Sequence, residues 1–356
     1  MSTDEYVEVD VGAGPVTVPV STRLLSLGTG RGAVPVPADG PVDWSALDKL
    51  TDLSSLTWTG AERGVVAAVA RHGVQYLEWH DAAGDIDLTP TRVTGLRLFA
   101  GDLTLLRLPA TTTMLLLQDP PPAARVEAPG HGLDLRIFFE RQEPAIPDGV
   151  RGAAKVWVRA GRTFSAGVLA ALTEVESIEI ELVDPPGTLA DTGELGVHRR
   201  LARLVVDNAY DWDPATLPDL PALRELEVEG TRKTTAAALK ARFKGTAVAV
   251  SVSGAKSESW LDAHIDNPFM DWVEDGKAFG TAACKAYAKA VKALADPERV
   301  EGALRGLVAD LNAIQKKYGL IDTMNRDHAA EVFAGLAARA GVAEDTAEAW
   351  FDDRTF

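Results

Sequence analysis

The sequence predicts an α/β protein: an irregular solenoid with a parallel strand ladder, followed by an all-α domain. Two observations predict it. A strand-like unit, apolar-x-apolar between turn residues, returns about every twenty residues from Leu56 to Val250. Beyond about residue 256 the apolar period changes from two to that of a helix. The anchors of the unit are Leu56-Thr-Trp58, Leu77-Glu-Trp79, Leu96-Arg-Leu98, Leu115-Leu-Leu117, Leu135-Arg-Ile137, Val156-Trp-Val158, Ile178-Glu-Ile180, Leu204-Val-Val206, Leu226-Glu-Val228 and Val248-Ala-Val250. Successive first anchors lie 21, 19, 19, 20, 21, 22, 26, 22 and 22 residues apart. A fixed period in this range marks units that bury their apolar edges only by stacking on their neighbours.

Residues 1–45 read as an N-terminal cap segment, with a strand over Tyr6–Val11 and then a Gly/Pro-rich stretch through Gly28-Thr-Gly-Arg-Gly32. Those glycines lack the Lys-Ser/Thr of a phosphate loop and are read as a turn. Residues 46–253 carry the repeats. Some gaps between strands are helical in pattern, Ser165–Leu172 and Thr234–Phe243. In the middle, Leu103–Leu108 and the segment around Val126 have strand patterns of their own, with Pro120–Pro122 turning a corner between them.

The pattern Leu-x-x-Leu-x-Leu/Val is plain in Leu223-Arg-Glu-Leu-Glu-Val228 and Leu201-Ala-Arg-Leu-Val-Val206, and recurs with Trp in last place in Leu53-Ser-Ser-Leu-Thr-Trp58. Over about two hundred residues the chain resembles the leucine-rich repeat family. The asparagine of that family's unit is replaced by Ala61, Ala82, Gly101, Ala209 and Thr231. The resemblance therefore implies a degenerate, irregular form that presents a binding face.

Residues 254–356 read as a helical C-terminal domain that caps the last repeat, with helices over Glu258–Ile265, Pro268–Glu274, Phe279–Ala295, Pro297–Tyr318, Arg326–Ala340 and Glu344–Asp352. Asn267 and Asp296 precede prolines at first helical positions, and Gly319 and Gly341 stand where helices stop. Trp260, Phe269, Trp272 and Trp350 form an aromatic group read as core or capping. The phrase Tyr318-Gly-Leu-Ile-Asp-Thr-Met-Asn-Arg326 is similar to one in helical immunity proteins of bacterial conflict systems. As plain helix punctuation, Asp322 or Thr323 caps the next helix and Arg326 pairs with a carboxylate.

Composition bounds the function. With 46% hydrophobic and 25% charged residues the chain is of the globular class, and 356 residues exceed one ordinary core. The start Met1-Ser-Thr-Asp-Glu-Tyr6 has no signal-peptide pattern and no run is long enough to span a membrane, so a cytoplasmic, bacterial location is expected. One cysteine, Cys284, leaves no internal disulfide and is read as a small packed residue. A net charge of −16 opposes nucleic acid and anionic membranes, and suits a protein partner with a basic surface.

Chemistry is sparse. His72, His80, His131, His198, His264 and His328 contain no pair at helical ligand spacing, so neither metal nor cofactor is expected. The His-carboxylate neighbourhoods are His80-Asp81 and His264 with Asp262 and Asp266. With period two, the residues between and after the anchors project onto one face. There Arg97, Phe99, Arg136, Phe138, Trp157 and Arg159 make an aromatic-arginine patch, and Glu179, Glu181, Asp207, Glu227 and Glu229 an acidic one. Aromatic residues with arginine are the composition of interface hot spots. The expected function is a noncatalytic protein-protein interaction scaffold that binds on this concave face. Two alternatives are an immunity or defence-system protein neutralising a toxin through the helical domain, and an enzyme with a site in the interdomain cleft around His264, Asp262 and Asp266.

Overall fold

The computed structural model describes residues 5–356 except 31, 131, 141–142, 185, 259 and 262–266, and it divides into two compact units, Met1–Ala255 and Lys256–Phe356. The protein combines a large sheet of parallel strands with a C-terminal helical region. No helix among the described residues is long and apolar enough to cross a membrane.

The first unit opens with β1 (Tyr6–Val9) and β2 (Val16–Pro19), an antiparallel pair. Their turn is organised by Asp10, whose carboxylate accepts from the amides of Gly12 and Gly14 at 2.8 and 3.0 Å. Those bonds, Gly12 first, hold the carboxyl below its usual range. Then come β3 (Leu24–Leu27), β4 (Ser55–Thr59), helix α1 (Val65–His72), β5 (Tyr76–Asp87), β6 (Gly95–Arg107), β7 (Met114–Gln118), β8 (Arg125–Glu127) and β9 (Leu133–Phe139). They are followed by β10 (Ala153–Ala160), β11 (Thr163–Ser165), β12 (Ser177–Leu182), β13 (Gly187–Ala190), β14 (Arg203–Asp207), β15 (Ala209–Asp211), β16 (Glu225–Glu229), helix α2 (Lys233–Arg242) and β17 (Ala249–Ser253).

The main sheet runs β3-β4-β5-β6-β7-β9-β10-β12-β14-β16-β17, all parallel and in chain order. The ends of β5 and β6 continue past a bend still paired with each other, and the end of β6 pairs onward with β8. Asp81 and Gly84, both with positive φ, stand at the irregularities that make the bend. A second parallel sheet, β11-β13-β15, lies farther along the chain. Strand pattern on both sides of the Pro120–Pro122 turn is therefore observed.

The anchors align across the sheet. Leu56, Leu77, Leu96, Leu115, Leu135, Val156, Ile178, Leu204 and Leu226 are successive register partners, all but sealed from solvent. The next inward row runs from Trp58 and Trp79 to Val206 and Val228, equally buried. Each such side chain contributes about 1.5–3 kcal/mol through burial. Trp58 and Trp79 keep their indole N–H groups satisfied, donating to the carbonyls of Ala61 and Gly60 at 2.8 Å. Thr231 makes a side-chain bond between neighbouring segments, its hydroxyl donating to the Ala209 carbonyl at 3.0 Å.

Two expectations at the ends of the ladder are corrected. The cap segment contributes a strand to the sheet, since Leu25 pairs with Leu56 and Leu27 with Trp58. The last anchor is Val250, which pairs with Leu226, and Val252 takes the second inward place. Val248 precedes the strand. The helical gap expected at Ser165–Leu172 is a short 3-10 turn, Ala166–Leu169, entered through β11 and capped by Ser165.

The second unit holds α3 (Trp272–Asp275), α4 (Lys277–Leu294), α5 (Val300–Tyr318), α6 (Thr323–Arg339) and α7 (Glu344–Phe351). The helix expected over Pro268–Glu274 is confined to α3, because Asn267 accepts from the Phe269 amide at 3.1 Å and spends the first residues in a turn. Pro297 opens a 3-10 turn capped by Asp296 before α5 begins. Asp322 caps α6 by accepting from the Asn325 amide at 2.9 Å. Arg326 forms no ion pair with any described residue, and its Nε is buried without a partner. The helix expected at Glu258–Ile265, with Asp262, His264 and Asp266, falls largely outside the described residues.

Phe269, Trp272, Phe279 and Cys284 lie in the core of this unit with Leu304, Leu307, Val308 and Leu311. Trp272 and Phe279 stack at 5.1 Å. Burial pushes the Cys284 thiol up to about 11, so it stays protonated at neutral pH. Trp350 lies at the edge of the core under the Arg305 guanidinium, and Trp260 under the Lys256 ammonium.

Candidate functional site: the outer face of the ladder

Between the buried anchors, alternate residues of each strand stand on the opposite, outer face. Thr57, Glu78, Arg97, Leu116, Arg136, Trp157, Glu179, Val205 and Glu227 form one continuous rung of register partners. Thr59, His80, Phe99, Gln118, Phe138, Arg159, Glu181, Asp207 and Glu229 form the next. Every predicted site residue therefore lies on these two rungs, on strands β6 to β16. A parallel register without slips between β9 and β16, beyond one at the start of β10, achieves this.

The aromatic-arginine patch has two centres. On β5 and β6, His80 and Phe99 stack at 4.0 Å with planes 11° apart, and the Arg97 guanidinium lies 4.7 Å over Phe99. Glu78 ties this group together: its carboxylate lies 2.8 Å from His80 Nε2 and 3.4 Å from Arg97 Nη1. On β9 and β10, Phe138 meets Trp157 edge to face at 5.1 Å. Arg136 lies 5.4 Å over Trp157 and Arg159 5.8 Å over Phe138. Asp134 and Glu181 hold these arginines at 3.1 and 3.5 Å. Leu116 and Phe138 are buried on this otherwise open face and form its apolar floor.

The acidic patch occupies β12, β14 and β16. Glu179 and Glu227 flank the buried Val205, while Glu181 and Glu229 flank Asp207. Burial first, then the carboxylates of Glu179, Glu229, Glu181 and Glu227, push the Asp207 carboxyl up to about 6. Arg203 supplies the compensating charge at the edge, donating to Glu225 at 2.9 Å and to Glu227 at 3.1 Å. Glu181 belongs to both patches, because it also pairs with Arg159. The two are one charged surface in which each patch arginine already has an acidic neighbour.

The expected set omits Glu78, His80 and Asp134, which fix the arginine and aromatic orientations. Their positions in the rows are legible in the sequence; their bonds depend on rotamers that spacing does not encode. His80 bonds to Glu78 rather than to its sequence neighbour Asp81, whose backbone turns away at φ 59°. No cluster of three His, Cys, Asp or Glu suited to a metal ion occurs among the described residues. No family model, no curated protein and no solved structure matches this chain.

Proposed function

We propose that the chain is a degenerate leucine-rich-repeat-like solenoid acting as a noncatalytic scaffold, whose outer ladder face captures a protein partner. The observation that carries this reading is the Phe138-Trp157 pair with Arg136 and Arg159 laid over it, in which the partly exposed Trp157 stands against the buried floor of Phe138 and Leu116. Aromatic rings and guanidinium groups held in place by their neighbours lose little freedom on binding, which is the property of interface anchors. Glu179, Glu181, Asp207, Glu227 and Glu229 add a field that speeds the approach of a basic surface and weakens with salt.

The test is an affinity pull-down from the native host with mass spectrometry, run in parallel with wild type and the double variant Arg136→Ala/Trp157→Ala. A protein retained stoichiometrically by wild type and weakened about thirtyfold or more by the double variant, at unchanged melting temperature, supports the reading. Equal retention by both removes this face from the function.

A further inference from the structure

At the start of the outer face a cavity of about 410 Å³ opens between β3, β4, β5 and the loop residues Thr29, Gly30 and Ala33, lined also by Ser26, Thr57, Thr59, His80 and Asp81. Ser26 and Thr57 are register partners, as are Thr59 and His80, so the first two rungs supply its floor. The loop is fastened as its wall: the Gly28 amide donates to the Val34 carbonyl at 3.0 Å and the Val34 amide to the Ser26 carbonyl at 2.8 Å. On the opposite side the His80 ring is pinned, with Phe99 stacked on it and Glu78 holding Nε2. One imidazole face is covered by Phe99, and His80 lines the cavity beside its register partner Thr59.

The lining has a definite chemistry. The hydroxyls of Ser26, Thr29, Thr57 and Thr59 have no hydrogen-bond partner among the described residues, whereas Thr94, Thr112 and Thr113 on the following crossovers all donate to backbone carbonyls. Each hydroxyl offers one donor and two acceptor positions. Asp81 has no ion pair among the described residues and adds an acceptor that takes two neighbouring hydroxyl groups at once. The Asp81 carboxylate on the lining disfavours phosphate and carboxylate ligands. The size falls in the range of about 300–1,000 Å³ common to small-molecule sites.

We propose that this cavity binds a neutral sugar ring, whose hydroxyl edge pairs with Ser26, Thr57, Thr59 and Asp81 and whose C–H face lies on the His80 imidazole. The cavity adjoins the partner-binding face at His80 and Phe99 but lies on β3 to β5, away from the second centre at Arg136 and Trp157, so the two readings can fail independently. The test is saturation-transfer NMR on the full chain with the methyl glycosides of glucose, galactose, mannose and N-acetylglucosamine. At least one glycoside should give ring-proton signals. Its affinity should fall about tenfold in Thr57→Val/Thr59→Val and in Asp81→Asn, each a change of nearly constant volume. Arg136→Ala/Trp157→Ala should leave it unchanged. Absence of signal from all four glycosides overturns the proposal, as does full affinity in a folded Thr57→Val/Thr59→Val or Asp81→Asn chain. Displacement of the glycoside by inorganic phosphate also overturns it.

Discussion

Asp207 stands among four other carboxylates with its own carboxyl raised to about 6. A folded-state value above the unfolded one means that the neutral acid is favoured in the fold. The associated stability is complete below about pH 4 and is lost as the pH rises through about 6. At full value a shift of about two units is worth about 3 kcal/mol; partial exposure reduces this to about 1–2 kcal/mol. Asp207→Asn should therefore be more stable than wild type by about that amount at pH 8 in urea titrations, and indistinguishable from it at pH 4. A constant difference across that range would remove the charge argument. His198 acts in the opposite direction. Burial lowers its pKa, and its Nδ1–H donates to the Leu172 carbonyl at 2.8 Å while Nε2 is buried without a partner. Its stabilisation is present above pH 6.5 and lost as the pH falls below it. His198→Gln, which keeps a donor for Leu172, should flatten the acid side of the wild-type stability curve between about pH 6.5 and 5. At this scale the sequence gives positions without bonds. Arg97, Arg136 and Arg159 are placed correctly by period two, but their acidic neighbours Glu78, Asp134 and Glu181 come from three different sequence offsets.

At the scale of the element, strand identity rests on a parity that is easy to read and a phase that is not. Leu56 through Leu226 keep a single phase because each strand has one apolar-x-apolar unit bounded by turns. Around β17 the alternation Val248, Val250, Val252 offers two placements that bury the same side, and only pairing with β16 selects Val250. β3 has the same unit as its neighbours, yet Leu25 lies 31 residues before Leu56, outside the period, because the intervening chain makes its own loop and 3-10 turn. Bends are equally specific. Gly149 has φ 95°, and a Cβ there would lie 1.8 Å from the Val126 carbonyl oxygen, beside the bond from the Val126 amide to Asp148. Gly149→Ala should cost at least about 3 kcal/mol and lower the melting temperature by about 6–12 °C. A shift under 2 °C, measured by circular dichroism, would show that this corner relaxes freely.

For the whole molecule, the two compact units carry separate buried cores, one extending from Val9 to Leu239 and the other from Phe269 to Phe351. A chain ending at Ala255 should keep its strand signature and melt cooperatively. Non-cooperative melting would make the first unit dependent on the second. The change of apolar period near residue 256 made this boundary legible, because a helical stripe and a two-residue alternation are distinct in any window of a dozen residues. The cavity beside Ser26 was not legible, since it needs a glycine-rich loop to fold back onto a strand 31 residues ahead of the next. The strand order of the main sheet also has a consequence for how the surface varies. Along the path from β3 to β17 the strands pair in the order in which the chain reaches them, and each outer residue belongs to a single short segment. Duplicating or removing one segment of about twenty residues lengthens or shortens the face by one column and leaves the other columns unchanged. The width of the outer face is thus a variable that insertion alone can set.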